Sequence, residues 1–125
     1  MEINVRTVDD VVVVDMDGRL VAGTGDVELR DTLNKVVAGD ASKILLNLSE
    51  VRRIDSAGIG ELMASVKLAR RFGSEVRLIN VNGQVLRILQ LSQLLPLLTI
   101  YDNEAEALKS FADAGGGQAA AETAE

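Results

Sequence analysis

The 125-residue sequence contains no cysteine and no histidine. Those two absences exclude the Cys/His zinc patterns, thiol catalysis and any Ser-His or Cys-His nucleophile pair. Aromatic residues make up 2 % of the chain, so the core must be built from Val, Leu, Ile, Ala and Met, with few platforms on which a base or ring could stack. Positive charge is also scarce, with 13 Lys+Arg against 19 Asp+Glu and a net charge of -6. Such a surface repels phosphate backbones, so proteins or small molecules are the expected partners and nucleic acid is not. No segment approaches the roughly 20 uninterrupted apolar residues of a membrane span, and "MEINVRTVDD" has no charged region leading into an apolar one. The expectation is a cytoplasmic protein without a cofactor and without a membrane span.

What is present reads as one α/β domain, long enough to bury a core without disulfides or a structural metal. "EINVRTV" at 2–8 alternates as a half-buried strand, Asp9-Asp10 supplies a turn, and "VVVVDMDG" completes a hairpin ended by Asp17-Gly18. Leu29, Leu33, Val36 and Val37 share one helical face, with Thr24 or Asp26 as cap candidates and Gly39 as the stop. "KILLNL" at 43–48 is a nearly unbroken apolar run, the pattern of a strand covered on both faces. A second helix is expected from about 58 to 72 on Ile59, Leu62, Met63, Val66, Ala69 and Phe72. Glu61 falls in its first turn, Lys67, Arg70 and Arg71 towards its end, and Gly73 stops it. "EVRLINV" reads as a strand, and "GQVLRILQLSQLLP" as a helix with Val85 and Ile88 or Leu89 inward and Pro96 at its end. "LTIY" reads as a short edge strand, and Asp102 or Asn103 as the cap of a last helix carrying Ala107, Leu108 and Phe111. The whole predicts a mixed, mostly parallel sheet of about five strands with about four helices and right-handed crossovers. Residues 113–125 form an acidic Gly/Ala-rich tail with nothing to bury, expected to be disordered.

The stretch "RRIDSAGIGEL" places Ser56 on the loop entering the second helix, the side of an open α/β sheet where ligands and partners meet the fold. Asp55 or Ser56 could simply cap that helix. Gly58 and Gly60 each cost about 1 kcal/mol at an interior helical position, which points to an unusual turn or to close approach by another backbone. Ser56 has no plausible base, since a solvated Asp55 is far too weak to deprotonate a hydroxyl at neutral pH. A phosphate acceptor needs only an exposed hydroxyl, because a kinase brings the catalysis. Phosphorylation would add a charge of about -1.5 to -2 at the positive end of a helix dipole, altering surface and partner more than fold. Gly23-Thr24-Gly25 reads as a turn rather than a phosphate loop, since no Lys-Ser/Thr pair follows. Ser49, Ser65, Ser74 and Ser92 read as solvated or capping. Arg52 and Arg53, adjacent in the chain, cannot share a face, and read as one exposed charge and one salt bridge or as contacts to a phosphate. "LQLSQLLPLL" is either a docking patch or a buried third helix.

"RRIDSAGIGELMASVKLARRFG", preceded by "KILLNLSEV" and followed by "EVRLINVNGQVLRILQLSQL", resembles the STAS domain of bacterial anti-sigma factor antagonists. The similarity runs from about residue 3 to 111, which places a STAS domain over 1–112. The resemblance implies a non-enzymatic module whose phospho-acceptor is Ser56, with Asp55 shaping the contact. The implied partner surface comprises Asp55, Ser56, Ala57, Gly58, Ile59, Gly60 and Thr24. The implied partner is an anti-sigma factor that is also a serine kinase of the histidine-kinase-like ATPase fold. Unphosphorylated, the antagonist binds it and frees sigma factor; phosphorylated, it lets go, and a PP2C-type phosphatase resets it. A monomer or weak dimer is expected. Sister STAS proteins serve instead as constitutive subunits of stressosome scaffolds or of lipid-handling ABC transporters.

Overall fold

The computed structural model describes residues 1–115. Strands β1 (Glu2–Val8) and β2 (Val11–Leu20) form the antiparallel hairpin, Val8 facing Val11 across Asp9-Asp10. Asp9 takes φ 58, the left-handed conformation that a tight two-residue turn demands and that Asp tolerates. β2 does not stop at Asp17-Gly18 as expected. Gly18 at φ 134 and two register irregularities against the next strand bend it, and it continues to Leu20.

Alternation then follows: α1 (Asp26–Ala38), β3 (Lys43–Ile54), α2 (Ser56–Arg71), β4 (Glu75–Ile79), α3 (Gly83–Leu91), β5 (Ile100–Tyr101) and α4 (Glu104–Gly115). The sheet runs in the order β1-β2-β3-β4-β5, and every pair after the hairpin is parallel. Among the described residues this is the single α/β domain, five strands and four helices, that the patterning predicted.

One face of the sheet, with Val14, Met16, Ile44, Leu46 and Leu78, packs beneath Leu29 and Leu33 of α1, Leu62 and Val66 of α2 and Val85 and Leu89 of α3. On the other face Val11, Val13, Leu45 and Ile79 meet Ala107 and Phe111 of α4. Covering both faces explains the apolar run of β3, and each fully buried aliphatic side chain contributes about 1.5–3 kcal/mol. On the α4 face, Arg6 pairs with both Asp15 (2.6 Å) and Glu104, joining the hairpin to the last helix.

Several local expectations are corrected. The N-cap of α1 is Gly25 at φ 89, not Thr24 or Asp26; Glu28 Oε1 accepts from its N–H at 3.1 Å, and a Cβ there would lie 2.4 Å from the Arg19 carbonyl oxygen. Glu61 is buried one turn deeper than expected, while Phe72 is exposed rather than inward. Ser65 and Ser74 are buried and bonded rather than solvated, Ser74 Oγ donating to the Ala41 carbonyl at 2.6 Å. Helix α3 ends at Leu91 because Gln93 adopts φ 58; Pro96 belongs to a separate 3₁₀ turn, Leu95–Leu97. Asn103 caps α4 by accepting from Glu106 N–H at 2.9 Å. That helix continues to Gly115, so the expected tail boundary at 113 falls inside it; the rest of the expected tail, 116–125, lies outside the described residues. Among the described residues no helix is long and apolar enough to cross a membrane.

Candidate partner-binding site

β3 delivers its last residue, Ile54, into the core, and the chain turns directly into α2 at Asp55. Asp55 is extended (φ -122, ψ -173) and is the N-cap: Oδ1 accepts from Gly58 N–H at 2.8 Å. Oδ2 accepts from Ala22 N–H at 3.1 Å, and the Asp55 N–H donates to the Leu20 carbonyl at 3.4 Å. One carboxylate therefore ties the start of α2 to the loop between β2 and α1. The Gly58 amide, and after it that of Ala22, hold the Asp55 carboxyl below its usual range.

The tied loop is the turn Val21 to Thr24, closed by reciprocal main-chain bonds of 2.9 Å in each direction. Thr24, half-buried, lines a shallow depression of about 480 Å³ with Asp17, Arg19 and Arg52. Arg52 donates to Asp17 at 3.0 Å, while Arg53 points out with no ion pair among the described residues.

Ser56 is the first residue of α2 rather than a loop residue. Its side chain is exposed and makes no hydrogen bond among the described residues, so the capping role falls to Asp55 alone. Ala57 and Gly60 share the exposed side with it, whereas Gly58 and Ile59 are buried. A Cβ on Gly58 would lie 1.8 Å from the Leu20 carbonyl oxygen, so only glycine lets the helix sit against the end of β2. A Cβ on Gly60 would meet nothing within 4 Å.

Sequence reasoning missed a second link between the two helices here. Arg30 of α1 reaches over α2, its Nη2 2.6 Å and its Nε 3.1 Å from Glu61 Oε1, and Ser65 Oγ donates to Oε2 at 3.3 Å. Glu61 is 8 % exposed and Arg30 56 %, so the carboxylate is covered by a cation that itself faces solvent. Contact with Glu61 raises the Arg30 guanidinium above its ordinary value. The four-residue spacing of Glu61 and Ser65 on an otherwise apolar face was the available signal.

The helix entrance is thus stitched to a neighbouring loop, and an exposed serine faces out beside it. The profile of the STAS domain family matches residues 2–107, and the chain belongs to that family. It is 32 % identical over 98 residues to the anti-sigma F factor antagonist of Paenibacillus polymyxa, covering 78 % of this chain and 84 % of that one. A crystal structure of a Thermotoga maritima protein assigned as an anti-sigma factor antagonist superposes with a TM-score of 0.79 at 28 % identity, covering 86 % of this chain and 92 % of that one. The Bacillus cell fate determinant SpoIIAA in its phosphorylated form shares the fold, with a TM-score of 0.67 at 20 % identity over 88 % of this chain and 99 % of that one.

Proposed function

We propose that the protein is an anti-sigma factor antagonist of the cytoplasm, without catalysis of its own, whose binding surface is switched by phosphorylation of Ser56. The observation that carries the proposal is the division of labour at the start of α2. Asp55 satisfies the free N–H of Gly58 and Ser56 satisfies nothing, which leaves the hydroxyl available at a position the fold does not need it for. The sequence relative from Paenibacillus polymyxa is named an antagonist, and SpoIIAA exists in a phosphorylated form; both support this reading.

The partner is a protein that is anti-sigma factor and serine kinase at once, with the histidine-kinase-like ATPase fold. Its transfer breaks the β,γ bond of ATP and joins the γ-phosphoryl group to Ser56 Oγ. ADP leaves, and the hydroxyl proton passes to the kinase's base. The new dianion sits at the N-terminus of α2, whose dipole and unpaired amides tolerate it, so the helix stays intact. Beside it lies Asp55, already held ionised, so the exposed face gains negative charge where the partner docked. A PP2C-type phosphatase removes the group. The contact surface comprises Ser56, Ala57, Gly60 and the Thr24 turn, placed by Asp55, Gly58 and Ile59. Gly60 fits this role because no atom among the described residues requires glycine there.

The test is a pull-down from native lysate with wild type, Ser56→Ala and Ser56→Asp as baits. An ATP-binding anti-sigma kinase held by the first two and lost by the third is the expected result. The same scaffold or transporter proteins on all three baits would contradict it and make the domain a fixed subunit.

A further inference from the structure

Charge is unevenly distributed along this acidic chain. Between Leu62 and Tyr101 stands one acidic residue, Glu75, against five basic ones, and Glu75 is already paired with Arg77, which lies over Phe111 on the α4 side of the sheet. The other four cations, Lys67, Arg70, Arg71 and Arg87, are exposed and have no carboxylate partner among the described residues. The same stretch holds exposed apolar side chains: Phe72 at 66 %, Leu91 at 77 % and Leu97 at 50 %. Phe72 is the C-cap of α2, Leu91 ends α3, and Leu97 ends the 3₁₀ turn, so each closes a helical segment. Such side chains project as separate points rather than line a groove.

The fold brings these residues to one end of the helix layer. α2 and α3 each connect one parallel strand to the next across the same face of the sheet, so their C-termini lie at the same end. Arg70 ties that end together, its Nη1 donating to the Leu97 carbonyl at 2.9 Å. Arg87 and Leu91, four residues apart, share the outward side of α3. Ser56 begins α2 at the opposite end, roughly 22 Å away along the helix axis, so this surface is separate from the one placed by Asp55.

We infer that the C-terminal ends of α2 and α3, with the 3₁₀ turn, dock on an anionic lipid surface. Cations without counter-charges match the phosphates of the headgroups, and projecting Phe72, Leu91 and Leu97 enter between them, the combination by which peripheral proteins hold a bilayer. An acidic protein would satisfy the cations but would need a matching cleft for three separate apolar points. The net charge of -6 does not prevent approach, because charges beyond about 8 Å are screened at physiological salt and the facing end governs.

Co-sedimentation of the full chain tests this, with vesicles of phosphatidylglycerol and phosphatidylcholine in about equal parts and with vesicles of phosphatidylcholine alone. Binding to the first, falling as salt rises, and none to the second is the expected result. Arg71→Gln and Arg87→Gln should each weaken it about fivefold, and Leu91→Ser about threefold or more. All three side chains are exposed, so circular dichroism should match wild type. Lys109→Gln, which removes an exposed cation of α4, should leave binding unchanged. No binding to the anionic vesicles, equal binding to both kinds, or an equal loss with Lys109→Gln overturns the inference. So does tighter binding to poly-glutamate than to the anionic vesicles, which would make this end a site for an acidic protein.

Discussion

The inner and outer sides of the first turn of α2 are two residues apart and built by opposite rules. Inward, Asp55 holds two main-chain amides and Gly58 leaves no room for a side chain against Leu20. Outward, Ser56 and Gly60 make no contact that would dictate their identity, and Gly60 costs helix stability without structural return. The difference separates residues that hold a surface in place from residues that form it, although both kinds sit in one six-residue stretch. Substitutions on the two sides should accordingly have opposite effects on stability.

The largest effect is expected inside. Gly58→Ala forces a Cβ against the Leu20 carbonyl, so the helix entrance must shift, at a cost of about 3 kcal/mol or more in denaturant unfolding. An unfolding midpoint equal to that of wild type would show that the contact yields freely. Next comes Asp55→Asn, which keeps the shape and removes the charge. Because the folded carboxyl is depressed below its ordinary 3.8, its contribution is fully present above that value and is lost as pH falls through the folded one. The variant should be less stable near neutral pH, and its unfolding midpoint should fall less steeply in acid than that of wild type. Parallel profiles would remove the carboxylate from the account. Outside, Gly60→Ala is expected to raise stability by up to about 1 kcal/mol while weakening partner capture. A stabilised variant that still binds fully would show that no backbone approaches there.

Much of the fold is legible in the sequence because the covering layers impose clean periods. The apolar stripes of α1 and α2 record cover on one face, and the apolar run of β3 records cover on both. The less legible parts have local causes. The second half of β3, "SEVRRI", loses its two-residue period where the register against β2 slips twice, so its strand character is hidden. Glu61 breaks the apolar stripe of α2, but its partner Arg30 lies 31 residues away, out of reach of any local pattern. The end of α3 is set by Gln93 in the left-handed region, for which glutamine gives no cue, and not by Pro96. At the site itself the residue types told where the helix begins, while the choice between Asp55 and Ser56 as its cap needed coordinates. Two equally plausible caps stand side by side, and only the path of the chain decides which oxygen meets the amide.

On stability alone Ser56→Ala should be nearly silent, within about 0.5 kcal/mol, because the hydroxyl bonds nothing among the described residues. Its effect belongs to modification. The direct measurement is intact mass after incubation with the captured kinase and ATP, for wild type and Ser56→Ala side by side. One phosphate on wild type and none on the variant is the predicted result; equal uptake by both would place the switch elsewhere and contradict the central claim.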